Sequence, residues 1–185
     1  MSMTNLLEET AQHMRLFIAI PLSQEFHLAA KNLQKALFSH GVRGRYVPEE
    51  NFHITLRFIG ECNQPDDITE AMKRVCCHVP PFPIRLLDCE GFGGGRTLYL
   101  SVSCDNGEID LLYHSLNLKL NEYGIVRNRD CFAPHITLGR NMSGFEGFCW
   151  NKPSMATCRI EEIVLYESVR TDKVRYHAIH REKLI

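Results

Sequence analysis

From Phe52 to Gly60 the chain alternates with period two. Phe52, Ile54, Leu56 and Phe58 fall on one side, His53, Thr55 and Arg57 on the other, as in a strand with one buried face. The tetrapeptide His-Ile-Thr-Leu returns at His135–Leu138, 82 residues later, between Pro134 and Gly139-Arg140. Two copies of one polar face predict a single site assembled from two halves.

The flanking pattern repeats as well. Arg15 to Pro21 is apolar enough for a strand and closes with proline. Ser23 is placed to cap a helix carrying Phe26, Ala30, Leu33 and Leu37, stopped by Gly41. Val42 to Asn51 is predicted to be a loop before the first His strand. A second helix, Pro65 to Val79, has Asp66 and Asp67 at its start and Ile68, Met72, Val75 and Val79 as its stripe.

Ile84 to Glu90 reads as a strand, and Gly91 to Gly95 as a mobile loop without the spacing of a nucleotide-binding turn. Thr97 to Cys104 is then a strand with Leu98, Leu100, Val102 and Cys104 on one face. Asn106 can cap a helix carrying Ile109, Leu112, Leu116 and Leu120, which Gly124 ends. Phe17 stands 36 residues before His53, and Tyr99 stands 36 residues before His135. A strand–helix–strand unit used twice predicts an α+β fold of two lobes. Each lobe would be a mainly antiparallel sheet with outer helices, related by approximate two-fold symmetry, with the histidines facing a cleft. Ile160 to Glu167 and Val174 to Lys183 read as two further strands turning near Thr171-Asp172.

A chain of 185 residues with 44% hydrophobic and 23% charged residues is an ordinary globular protein, read here as one domain of two interleaved lobes over 1–185. A formal charge of −1 opposes bulk electrostatic binding of nucleic acid but leaves room for a local phosphate pocket. The eight cysteines contain no Cys-x-x-Cys pair, and no apolar run approaches the ~18 residues of a membrane span. Without a secretory pattern, the expectation is a cytoplasmic monomer with reduced thiols. His177-x-x-His180 would point opposite ways along a strand, so no metal is expected there.

Two opposed imidazoles suit a reaction that needs one general acid and one general base near neutral pH. Two threonine hydroxyls beside them can donate to the oxygens of an anion. The set fits a phosphodiester: one histidine activates water, the other protonates the leaving oxygen, and the hydroxyls steady the phosphorane. Neither a metal nor another cofactor is required. With unperturbed imidazoles, activity should peak roughly between pH 6 and 8.

The ordered set of segments resembles the 2H phosphoesterases, and within them the bacterial and archaeal RNA 2′,3′-cyclic phosphodiesterases, the LigT-like or 2′-5′ RNA ligase family. Arg15-Leu-Phe-Ile-Ala-Ile20 is similar to its opening strand, and Glu162 to Ser168 to its late strand. Asn51 to Gly60 and Phe132 to Arg140 are similar to its two signature motifs. The resemblance implies that His53 is the proton donor and His135 the proton acceptor. It implies that Thr55, Thr137 and Arg140 bind phosphate, and that RNA ends are hydrolysed to 2′-phosphomonoesters, with weak ATP-independent 2′-5′ ligation in reverse.

Strict alternation puts Arg140 away from His135, so its contact requires the strand to bend or end near Gly139. Arg57 has the right parity for the site instead, and Phe132 reads as a core residue. The alternatives are a related phosphodiesterase acting on a small cyclic nucleotide or an ADP-ribose cyclic phosphate, and a non-catalytic RNA-end binding protein.

Overall fold

His53–Cys62 and His135–Ser143 both form strands, and they lie side by side, antiparallel, joined through the pair Ile54–Ile136. The structure, a computed structural model, describes residues 13–92, 96–127, 131–150 and 157–185. Along the chain these form β1 (Met14–Pro21), α1 (Gln24–His40), β2 (Arg43–Tyr46), a 3-10 turn (Glu49–Asn51), β3 (His53–Cys62) and α2 (Pro65–Cys76). There follow β4 (Phe82–Phe92), β5 (Thr97–Ser103), α3 (Glu108–Glu122), β6 (His135–Ser143), β7 (Thr157–Ile160), β8 (Glu162–Arg170) and β9 (Val174–Lys183).

The strands form one hydrogen-bonded path, β7-β4-β5-β6-β3-β1-β8-β9, antiparallel throughout, with β2 added alongside β6. The expectation of two separate sheets is therefore corrected: they are continuous, joined where β3 meets β6. Outward from that seam each His strand pairs with the strand that opens its own unit, β1 with β3 and β5 with β6.

Local chemistry accounts for most elements. The Ser23 Oγ accepts the Phe26 N–H at 3.3 Å at the start of α1. At its end Gly41 takes φ 101° while the Val42 N–H reaches the Leu37 carbonyl at 3.0 Å. α1 buries Phe26, Ala29, Ala30, Leu33 and Leu37. α2 stops at Cys76, short of the expected Val79, though Val79 still packs in the core. At α3 the cap is Gly107 in the left-handed region. Asn106 instead donates its side-chain N–H to Glu108 Oε1 at 2.9 Å, so the expected cap is corrected by one residue. Phe132 lies flat on Tyr113 of α3, 4.1 Å between centroids, in the packing role expected of it.

The expected loop at Val42 to Asn51 contains β2. Arg-Gly-Arg-Tyr has no apolar alternation to announce a strand, and the segment is extended because it pairs with β6. Gly91 and Phe92 complete β4, whereas 93–95 of the expected mobile loop lie outside the described residues.

Two bulges govern the site. Ala19 pairs with Thr55 and Ile18 with Arg57, leaving Leu56 as the extra residue of β3. Tyr99 pairs with Thr137 and Leu98 with Gly139, leaving Leu138 as the extra residue of β6. A bulge adds one residue and so reverses the facing of everything beyond it. Arg57, expected on the His face, is only 6% exposed, and Phe58, expected in the core, is 62% exposed. A third bulge, at Ile179, sets His177 and His180 opposite Glu167 and Leu165, alternate residues of β8. Those histidines therefore share a face, against expectation, and the His180 Nε2 pairs with Glu182 at 2.9 Å.

Gly44 shows how close β2 lies to β6. Its φ is +152°, and an added Cβ would stand 2.7 Å from the Asn141 carbonyl and 2.9 Å from the Met142 Cα. Gly41, at φ +101°, has open space around it. Both positions strain an alanine, at about 1–3 kcal/mol, and Gly44→Ala should cost more than Gly41→Ala because its Cβ also meets backbone. Urea unfolding of both variants checks the order, and equal costs would contradict the close β2–β6 approach.

Candidate active site

Ile54 and Ile136 point into the core as the central pair of the β3–β6 seam. Their neighbours project from the opposite face, because side chains alternate along a strand. His53 and Thr55 of β3 and His135 and Thr137 of β6 therefore share the face opposite the two isoleucines.

The two imidazoles are held alike. The His53 Nδ1–H donates to the Asn51 carbonyl at 2.8 Å, and the His135 Nδ1–H to the Ala133 carbonyl at 2.6 Å. A carbonyl only accepts, so Nδ1 carries the proton in each neutral ring and Nε2 is left as the reactive nitrogen. The Thr55 hydroxyl lies 3.0 Å from the His53 Nε2 and donates to it while the ring is neutral. Asn51 is itself buried, and its amide donates to the Val174 carbonyl at 2.9 Å, tying the β8–β9 hairpin to the backbone that orients His53.

Aromatic walls flank both rings. Phe17 lies 5.0 Å and Tyr176 5.3 Å from His53, centroid to centroid, and Tyr166 stacks on Phe17 at 5.3 Å. Tyr99 lies 5.1 Å and Phe92 5.3 Å from His135. The equal 36-residue spacing thus corresponds to an aromatic side chain packed on each imidazole. The ladders themselves differ: Phe17 pairs with Phe58 beyond the bulge, and Tyr99 with Thr137 before it.

These walls exclude water and set the charge state. Burial pushes the His53 imidazole down to about 4, opposed by its bond to Asn51 and reinforced by the nearby His135 and Arg140. Burial lowers His135 as well, opposed by its bond to Ala133 and reinforced by Arg140. The Arg140 charge acts on both rings. Leu138 is the reason: its bulge turns Arg140 onto the face of His135 and Thr137, satisfying the bend required near Gly139.

All five residues expected at the site, His53, His135, Thr55, Thr137 and Arg140, lie on this face. Arg57, the competing arginine, does not. Tyr176, Tyr99 and Phe92 escaped sequence reasoning as wall residues, since an aromatic in an alternating strand carries no mark of the side it lines. Among the described residues no three His, Cys, Asp or Glu side chains converge to hold a metal.

A family model described as the 2'-5' RNA ligase superfamily matches residues 13–146, and the chain belongs to that family. An RNA 2',3'-cyclic phosphodiesterase of Thermotoga maritima is 33% identical over 133 residues, 69% of this chain and 70% of that one. A protein of the same name from Escherichia coli is 26% identical over 90% of this chain and 94% of its own. Among solved structures, E. coli LigT complexed with 3'-AMP superposes with a TM-score of 0.80 at 26% identity, covering 94% of this chain and 99% of that one. The α+β fold is shared over nearly the whole chain.

A histidine whose folded pKa lies below its unfolded value resists protonation only while folded. Between about pH 6.5 and 4 the unfolded chain binds the His53 proton and the native protein does not. Stability should therefore be fully present above pH 6.5 and decline as the pH falls toward 4. Urea midpoints across that range should fall less steeply for His53→Gln than for the parent. Parallel curves would show that His53 is not held neutral by burial.

Proposed function

We propose that this protein hydrolyses RNA ends bearing a 2′,3′-cyclic phosphate to 2′-phosphomonoesters. The observation that carries the reading is the pair of imidazoles, each with its Nδ1 bonded to a backbone carbonyl and its Nε2 left for chemistry, with the Thr55 hydroxyl beside His53 and the Arg140 charge acting on both rings. The names of the T. maritima and E. coli relatives support the substrate. A solved structure of E. coli LigT is complexed with phosphate, which supports an anionic ligand for this fold.

The His135 Nε2 takes a proton from water as it attacks phosphorus. Thr55, Thr137 and Arg140 donate to the phosphoryl oxygens as negative charge accumulates there. The bond to the 3′ oxygen breaks, and that oxygen takes the proton from the His53 Nε2. Nδ1–H bonds to fixed carbonyls hold both rings in place through the step. His53 enters the cycle as a weak base, since burial holds it near 4. The anionic phosphate opposes that desolvation and lets the ring carry the proton it delivers. Arg140, Arg170 and Arg15 all act on the Tyr176 hydroxyl, whose pKa burial raises, so positive charge surrounds the His53 wall.

In reverse, a 5′-hydroxyl in place of water gives a 2′-5′ link without ATP, a minor reaction because water is in large excess. The eight cysteines are free thiols, which supports a reducing, cytoplasmic setting. No helix among the described residues is long and apolar enough to cross a membrane.

The test is an oligoribonucleotide ending in a 2′,3′-cyclic phosphate, incubated with EDTA, with the position of the product phosphate determined. His53→Ala and His135→Ala should each lose about 10²–10⁴-fold in turnover while staying folded, and Thr55→Ala or Thr137→Ala less. A folded histidine variant near the parental rate would remove its role.

The lowered pKa values also revise the expected optimum. The kcat/KM profile, which reports the free protein, should peak below pH 6.5 instead of between about 6 and 8. The kcat profile, which reports the complex, should lie to its alkaline side. Superimposed profiles would show that bound phosphate does not recharge His53. A rate abolished by EDTA and restored by a divalent ion would refute the two-histidine step.

A further inference from the structure

β2 fills the wedge where β3 and β6 diverge, and the pairing there is unusual. Arg45 stands directly opposite Arg140. Like charges directly opposite on neighbouring strands repel, at a cost that an ordinary strand pair avoids. Among the described residues neither guanidinium forms an ion pair with a carboxylate. The register is nevertheless built in. Asn141 adopts φ 53° and Gly44 lies flat against it, so that two residues of β6 are passed by one of β2, and Arg45 meets Arg140.

The facing of Arg45 follows from its neighbours. Tyr46 turns toward α1, where its hydroxyl donates to the Val42 carbonyl at 3.1 Å and its ring lies 6.3 Å from Phe38. Arg43 also reaches Phe38, with its guanidinium 5.0 Å from the Phe38 centroid and Nη1 donating to the Phe38 carbonyl at 3.2 Å. Arg45 stands directly opposite Arg140, and opposed residues of an antiparallel pair share a face, so it projects on the side of Arg140. Both guanidiniums are exposed. On a chain with a formal charge of −1, two adjacent unpaired arginines beside the reactive face are a local anion site.

We propose that Arg45, alongside Arg140, binds the phosphodiester immediately upstream of the terminal cyclic phosphate, so that the site recognises an RNA end in preference to a mononucleotide. The inference rests on the hydrolytic reading above and adds to it a second phosphate subsite. Arg140 lies between the two phosphates, its charge felt at both histidines, and Arg45 lies one strand further out. Adjacent strands are about 4.8 Å apart, within reach of two long guanidinium side chains closing on successive phosphates. A planar fork of donors suits a phosphate oxygen pair, and the anion removes the repulsion that the strand pair otherwise bears.

The experiment compares adenosine 2′,3′-cyclic phosphate, which has no upstream phosphate, with the dinucleotide ApA ending in a 2′,3′-cyclic phosphate, which has one. For Arg45→Ala the ratio of kcat/KM, dinucleotide over mononucleotide, should fall about tenfold, carried by KM. Arg45→Lys should recover part of it. The slope of log KM against log salt for the dinucleotide should shrink by about 0.7, the release of one counterion from a single strand. An unchanged ratio, whether both substrates suffer equally or neither does, would overturn the subsite. Parental protein inactive on both substrates would instead remove the hydrolytic reading, and the subsite with it.

Discussion

The site depends on a narrow seam. A single antiparallel pair, Ile54 with Ile136, joins the two His strands, and both isoleucines are fully buried. Burying two such side chains stabilises the fold by about 1.5–3 kcal/mol each, and side-chain alternation then determines what lies on the other face. A one-residue slip of either strand at this seam would turn its histidine and threonine into the core. The same contact that closes the sheet therefore sets which face the two histidines and two threonines share.

Beyond the seam the strands must part to leave room for a substrate. The bulges at Leu56 and Leu138 sit at equivalent points of the two motifs, yet their outcomes differ because the sequences differ. In β6 the residue delivered to the open face is Arg140, and in β3 it is Phe58. One repeat thus contributes charge and the other an apolar surface. β2 occupies the space on the charged side. The site is thus charged on one side and apolar on the other, although the two His-x-Thr motifs are alike.

Electrostatics and packing act together at the imidazoles. Phe17, Tyr176, Tyr99 and Phe92 remove water from around the rings and so disfavour the charged form. Nδ1 bonds to backbone carbonyls oppose the shift and lock the tautomer. The resting rings are consequently poised as bases. In the proposed reaction the substrate's own anion, with Arg140 balancing its charge, would allow one of them to serve as an acid. Asn51 connects this to the fold, since its carbonyl orients His53 and its amide holds the hairpin bearing Tyr176.

The sequence by itself determined the elements and the chemistry. An apolar run closed by proline marked the strand at residues 15–21, period-two runs those at 52–60 and 97–104, the stripes marked the helices, and the doubled His-Ile-Thr-Leu marked the four central groups. These are local signals, written in propensity and periodicity, and each was legible without knowing its neighbours. What lies beyond a bulge was not. Alternation gave Arg57 to the site and Arg140 to the core side, and the extra residues Leu56 and Leu138 reversed both, because a bulge is defined only against the partner strand. β2 was invisible for a related reason: Arg43 to Tyr46 has no strand pattern of its own and is extended because β6 supplies the hydrogen bonds. The tertiary structure also decided the pKa of His53 and the opposition of Arg45 to Arg140. Both are consequences of which surfaces meet, and the order of residues along the chain does not encode that distance.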